Sequence, residues 1–312
     1  MHERMLECIE KWNDLAGNYK RKGQRAVRYD FVKKRKLEKG NFWYGLVLND
    51  ARSDDYRPGT KEPMSCVSGK PCEFDQKLDL ETMIDDDKYG PWRICINVYP
   101  IDFGSSLVIH EQCPGRNQND IQQEDLENMT KLSCDTGFRI FHNSVPYIQT
   151  VPNMREGKMV IGTAASINHL HYQAVLGKFP IENFGKWISK YPDTFTMRDY
   201  PGANAVFCGK DATKKAYEMI NGLNENLIAH TIFIADNEIY VFPRKKETPS
   251  LTMKKAGGYE IAGNLVITDV RACGKLIRNG RQLFEDITYE QVNDALKEVL
   301  YQPDELDALL KK

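Results

Sequence analysis

No C-x-x-C pair occurs in this chain: its eight cysteines, at 8, 66, 72, 95, 113, 134, 208 and 273, are scattered through 312 residues. A disulfide framework and a paired-thiolate zinc ribbon therefore both lack their usual spacing. Neither G-x-G-x-x-G nor G-x-x-x-x-G-K-[ST] is present, which removes the sequence support for dinucleotide and P-loop phosphate sites. No apolar run approaches the length that crosses a bilayer. The opening MHERMLECIEKWNDLAG sets acids among its apolar residues and lacks the basic, apolar, small-residue order of a signal peptide, so a cytoplasmic protein is expected. Excess charge is missing too. Lysine plus arginine (43) balance aspartate plus glutamate (44) to a net −1, which gives no bulk attraction to nucleic acid. The densest basic run, KKRK at 33–36, reads as a solvated edge strand, because acidic and aromatic residues surround it.

What is present suits a folded core. Hydrophobic residues make up 41% and charged residues 28%, a globular balance, and the length admits one large domain or two packed halves. Helical spacing of Met5, Ile9, Trp12 and Ala16 predicts a first helix over 5–19. AVRYDFVKKRKL and NFWYGLVL predict a hairpin split at Lys39-Gly40. Residues 51–90 read as loop. Strands are predicted at WRICINVYP, GSSLVIH, FRIFHN, LIAHTIFI and EIYVFP, with a long one through KMVIGTAASINHLHYQAV and a late one at YEIAGNLVIT. Helices are predicted at 122–133, 181–191 and 211–221, and behind the Thr288/Gln291 capping box. Hairpins interrupted by isolated helices, without regular βαβ alternation, give an α+β chain with mostly antiparallel pairing.

The densest chemistry lies in SINHLHYQA, 166–174. On one continuous strand His169, His171 and Gln173 share a face. Three polar side chains in line are costly to bury without partners. Three readings follow: a plain strand, a metal pair, or a nucleophile. A glutamine is a poor third metal ligand, and no carboxylate lies nearby in sequence. An imidazole attacks phosphorus near neutral pH when its second nitrogen is fixed by a backbone carbonyl, and a neighbouring amide can hold a phosphate oxygen. Just before, GTAAS offers small residues and the hydroxyls of Thr163 and Ser166 to a phosphate, or serves as a tight strand entry. Cys66 and Cys72, with Asp75 beyond, are where thiolates could gather locally for zinc, though wider apart than zinc pairs usually are. Arg28 and the PRKKE run at 243–247 read either as phosphate contacts or as solvated side chains.

His169-Leu170-His171-Tyr172-Gln173 resembles the HxHxQ motif of the nucleotidyltransferase branch of the histidine triad (HIT) superfamily. The wider spelling, SINHLHYQA followed by KFPIE, looks most like the GDP-L-galactose and GDP-D-glucose phosphorylases and, more distantly, galactose-1-phosphate uridylyltransferase. INVYPIDFGSSLVI resembles the family's N-x-x-P strand-turn-strand, His142-Asn143-Ser144 its F-N-S element, and YEIAGNLVI its late E-x-A-G strand. The link between Ser144 and the motif is longer than the resemblance leads one to expect. The resemblance implies an α+β fold of HIT-like antiparallel half-barrel sheets with peripheral helices, in two closely packed halves, 1–175 and 176–312. It implies that His171 attacks the α-phosphorus of a nucleoside diphosphate hexose, GDP-hexose favoured, with inorganic phosphate as acceptor of the nucleotide. His169 would support the nucleophile, Gln173 and Ser166 would hold phosphate oxygens, Asn143 would approach the phosphates, and Asn97 would contact the nucleotide. The same branch contains dinucleoside polyphosphate phosphorylases, an alternative with the same histidine; a nucleotide-binding regulator without turnover is another. No cofactor is required on this reading, with zinc the weaker alternative, and a monomer or homodimer is expected, with neither nucleic acid nor membrane as a partner.

Overall fold

The computed structural model describes residues 10–14, 32–49, 54–55, 64–65, 82–84, 89–97, 101–102, 104–111, 116–145, 147–150, 158–161, 167–188, 194–272 and 275–310. Its centre is one ten-stranded sheet. Numbered with the hairpin β1 (Val32–Lys39) and β2 (Phe42–Asn49), its strands are β3 (Thr82–Ile84), β4 (Trp92–Ile96), β5 (Ser106–His110), β6 (Phe138–Asn143), β7 (His171–Leu176), β8 (Trp187–Ile188), β9 (Phe195–Thr196), β10 (Ala205–Phe207), β11 (His230–Ala235) and β12 (Glu238–Pro243). The spatial order is β8-β9-β10-β12-β11-β6-β7-β5-β4-β3, and every pairing is antiparallel. Residue 175 lies inside β7, in the interior of this sheet, so the two expected halves share it.

Alternation along these strands sorts the core onto two faces. On one, Ile94, Val108, Ile140, Tyr172, Ala174 and Ile232 meet helices α1 (Gln123–Thr136) and α2 (Ala212–Glu225) through Leu126, Met129, Ile220 and Leu223. On the other, Phe141, Val175, Phe233 and Phe242 meet a layer made of β2, the short helix α3 (Gly258–Ile261), β13 (Asn264–Ile267), α4 (Gly280–Asp286) and α5 (Tyr289–Val299). A last helix, α6 (Pro303–Leu310), buries Leu306 in the first cluster. In the second layer β1 and β2 form the expected hairpin, and β13 adds to β2 in parallel. β1 is an edge strand with Lys33, Lys34 and Lys36 exposed, as the KKRK run suggested. Among the described residues no helix is long and apolar enough to cross a membrane.

Several expectations need correction. Of the long strand expected over 158–175, Lys158–Ile161, Ile167–Asn168 and β7 are strand, residues 162–166 lie outside the described residues, and His169 sits in a break before β7. The long link before it contains a hairpin, Tyr147–Thr150 against Lys158–Ile161. The predicted helix at 181–191 is a single 3-10 turn, Pro180–Asn183, followed by the exposed pair Trp187–Ile188. Proline at the first position starts that turn, and one turn's hydrogen bonds do not carry it past Gly185. YEIAGNLVIT divides into α3 and β13 because Gly263, at φ +101°, turns the chain between them. Of the first helix, residues 10–14 are described; they are helical, with Trp12 buried. Residues 51–90 include the short strands Asp54–Asp55, Met64–Ser65 and β3 where loop was expected.

Candidate active site

β7 runs between β6 and β5, with His171 level with Ile109 and Gln173 level with both Leu107 and Phe141. Val175 belongs to the second core cluster, so by alternation His171 and Gln173 face the β13 side of the sheet. The shared face thus holds for these two. His169, outside the strand, reaches the site by another route: its Nε2 donates to the carbonyl of His110 at the end of β5, 3.0 Å away, and it is buried.

His171 is 9% exposed, and its Nδ1 lies 2.7 Å from the backbone carbonyl of His169. A carbonyl only accepts, so Nδ1 carries the proton and the lone pair of the neutral ring is on Nε2. Burial depresses His171 to about 4, against the upward pull of that carbonyl bond. The ring is therefore neutral and basic at Nε2 throughout the physiological range. Gln173 is half-buried, and its amide has no partner among the described residues.

The backbone of His171 is held from the β6 side by a residue that sequence reading missed. Gln118, fully buried, accepts from His171 N–H at 2.9 Å through Oε1, and its Nε2 donates to the carbonyls of His171 (2.9 Å) and Asn143 (3.1 Å). Asn143 is thereby brought beside His171. Its Oδ1 accepts from the Thr231 hydroxyl at 2.9 Å, and its Nδ2 protons have no partner among the described residues. Arg244, from PRKKE, is neither a phosphate contact nor solvated. It is fully buried, donates to Thr231 and to the carbonyls of Ala256, Lys246 and Glu247, and is lowered to about 10 by desolvation. On the same face as His171, Arg93 of β4 stands in register with Ile109, two strands across, roughly 10 Å away at the backbone.

Asn97 is not gathered into this group. It follows β4 at the level of Val175, roughly 16 Å from His171 along and across the sheet. That end of β7 opens on a cavity of about 320 Å³ lined by Lys34, Lys36, Trp43, Asp102, Lys178 and Asn264 among others. Two of its lysines are engaged: Lys34 pairs with Asp102 at 2.7 Å, and Lys36 with Glu38. Thr163, Ser166, Cys66, Cys72, Asp75 and Arg28 lie outside the described residues. Among the described residues no three histidine, cysteine or acidic side chains are grouped to hold a metal.

The other face of the sheet at this level carries more histidine. His142, directly across from Tyr172, donates through Nε2 to the Gln118 carbonyl at 2.7 Å, and its ring lies 6.2 Å from that of His230. His142 Nδ1, His230 Nε2, the Tyr172 hydroxyl and the Trp92 Nε1 are buried with no partner among the described residues. Desolvation holds His142 well below the usual histidine range and His230 at about 4. His230 sits singly in an apolar strand, and His142 entered the sequence reading as the neighbour of Asn143 in the F-N-S-like element.

The central sheet and its peripheral helices have the α+β, mostly antiparallel form expected from the sequence. Among solved structures the chain is similar to yeast Ap4A phosphorylase Apa2: against its AMP complex the TM-score is 0.62 at 13% identity, covering 96% of this chain and 97% of that one. Against the Ap4A complex the TM-score is 0.61, again at 13% identity, with 97% and 99% covered. At that identity the likeness is one of fold. No protein-family model matches the sequence, and no curated protein does.

Proposed function

We propose that the chain is a nucleotidyltransferase of the phosphorylase type, working through a nucleotidyl-histidine on His171. The observation that carries the reading is the 2.7 Å contact of His171 Nδ1 with the His169 carbonyl, which leaves the lone pair on Nε2. Nε2 attacks the α-phosphorus, the P–N bond forms, and the bond from phosphorus to the leaving phosphate oxygen breaks. The proton on Nδ1 stays hydrogen-bonded to the carbonyl as the ring gains positive charge. Inorganic phosphate then attacks the same phosphorus and expels His171. The Gln173 amide and Asn143 Nδ2 donate to nonbridging oxygens, Arg93 supplies positive charge from across the face, and His169 fixes the carbonyl that orients the ring. Ser166 and Thr163 complete the phosphate contacts, and Asn97 meets the nucleoside end.

For the substrate, a dinucleoside polyphosphate of the Ap4A type is favoured by the likeness to Apa2, which spans nearly the whole of both chains. Cleavage would yield a nucleoside triphosphate and, after phosphate attack, a nucleoside diphosphate. A GDP-hexose is the second reading, favoured by the spelling SINHLHYQA with KFPIE. No cofactor is called for in either case, and the cytoplasm is the expected setting.

The test uses α-labelled Ap4A and GDP-glucose, each without phosphate. An acid-labile adduct should form in the wild type and be absent from His171→Ala, and adding phosphate should release labelled nucleoside diphosphate. Equal labelling of His171→Ala would sink the mechanism. The substrate that labels faster decides between the two readings.

A further inference from the structure

We infer that Gln118 is a positioning residue for His171, an amide that takes the place of a strand where the central sheet opens. The inference rests on the reading of His171 as the nucleophile. The β6–β7 ladder ends at Phe141 and Gln173, and continuing its register by two residues would set Asn143 against His171. The two backbones do not pair there. Instead the Gln118 side chain lies between them, spending both amide protons on the two carbonyls and its oxygen on the His171 N–H. In that place an unpaired backbone group would be costly, because the β6 backbone does not supply the missing partner.

The clamp is itself tightly anchored. Arg116 forks onto Asp125 of α1 at 2.9 and 2.5 Å. The Arg116 carbonyl accepts Leu170 N–H at 3.1 Å, one residue before the nucleophile. Asn119 is held by Asn224 of α2 (3.1 Å) and by Val145 N–H (2.8 Å), and the Gln118 carbonyl receives His142 Nε2–H. Segment 116–119 therefore ties both helices and β6 to the backbone of residues 170–171. The aim of the imidazole is set by two restraints: its Nδ1 tether to His169, and the backbone position that Gln118 fixes.

Removing the clamp leaves one N–H and two carbonyls without their partner and lets residues 169–171 shift. A displacement of about 1 Å at a reacting centre lowers rate by about 100-fold. Gln118→Met keeps the shape without hydrogen bonds, and Gln118→Glu keeps the acceptor while losing the donors. In single-turnover adduct formation with Ap4A, both variants should lose at least about 30-fold in rate constant, with half-saturation changed less than about threefold. In ¹⁵N-labelled protein, the His171 imidazole should change from one Nδ1–H tautomer to a mixture. A folded Gln118→Met with the wild-type rate and an unchanged imidazole spectrum overturns the proposal.

If the wild type forms no adduct with either nucleotide, the functional reading has failed, and the imidazole spectrum alone decides the clamp. If neither variant folds, amide exchange in the wild type decides it. A His171 N–H protected like the interior of the sheet supports the clamp, and exchange as fast as an exposed loop amide overturns it.

Discussion

Burial sets the protonation state of His171 before any substrate arrives. With the ring depressed to about 4, Nε2, the attacking nitrogen of the proposed mechanism, stays unprotonated well below neutral pH. Single-turnover adduct formation should therefore hold constant from pH 8 to pH 5 and fall only as pH nears 4. An acid limb centred near 6.5 would show an imidazole in water-like surroundings. Arg93 gives a second prediction at this scale. It is partly buried, lies on the same face of the sheet as His171 and, among the described residues, makes only a loose 3.8 Å pairing with Glu111. Arg93→Met should raise the KM for nucleotide by about tenfold while leaving the fold intact, as loss of one charge-assisted phosphate contact does. An unchanged KM would take Arg93 out of the site. Residue by residue, His171 and Gln173 could be read from the sequence because strand alternation is local. Gln118 could not: it is one polar residue in the loop GRNQND, and its partners lie 25 and 53 positions away.

Among the elements, α3 packs directly on β6 and β11. A Cβ on Gly258 would come within 2.6 Å of the Phe141 Cβ, in the strand that ends at Asn143. Gly258→Ala should therefore cost about 1–3 kcal/mol by overpacking, read as a lower melting temperature. Unaltered melting would mean that the helix shifts freely. Strands such as β11 and β12 were legible because burial on both faces leaves near-continuous apolar runs. The short elements misled. One apolar stretch, KFPIENFGKWISKY, has helical spacing, yet Pro180 and Gly185 confine it to a single turn and an exposed strand pair. Whether a stretch of apolar residues becomes helix or strand was settled by what it packs on, and that is not written in the stretch itself.

Across the whole molecule, the histidines make stability depend on pH. His171 and His230, each near 4 when folded, and His142, held well below the usual histidine range by burial, bind protons in the unfolded chain before the folded one. Above about pH 6.5 all are neutral in both states and add no pH dependence. As pH falls below that value, each costs about 1.4 kcal/mol per pH unit, so His171 and His230 each remove about 3 kcal/mol by pH 4. Urea unfolding should show this decline, and His230→Phe should reduce its slope between pH 6 and pH 4.5. A slope unmoved by that substitution would mean the ring is protonated in the folded state. The sequence by itself determined the α+β class, the antiparallel hairpins and the pairing of His171 with Gln173 on one face, because these follow from periodicities of two to four residues. Tertiary structure alone decided that Asn143 and Gln118 meet His171, that Asn97 lies at the far end of the sheet, and that Arg244 is buried. Those outcomes depend on strand order and on hydrogen bonds between residues far apart in the chain, which no local pattern encodes.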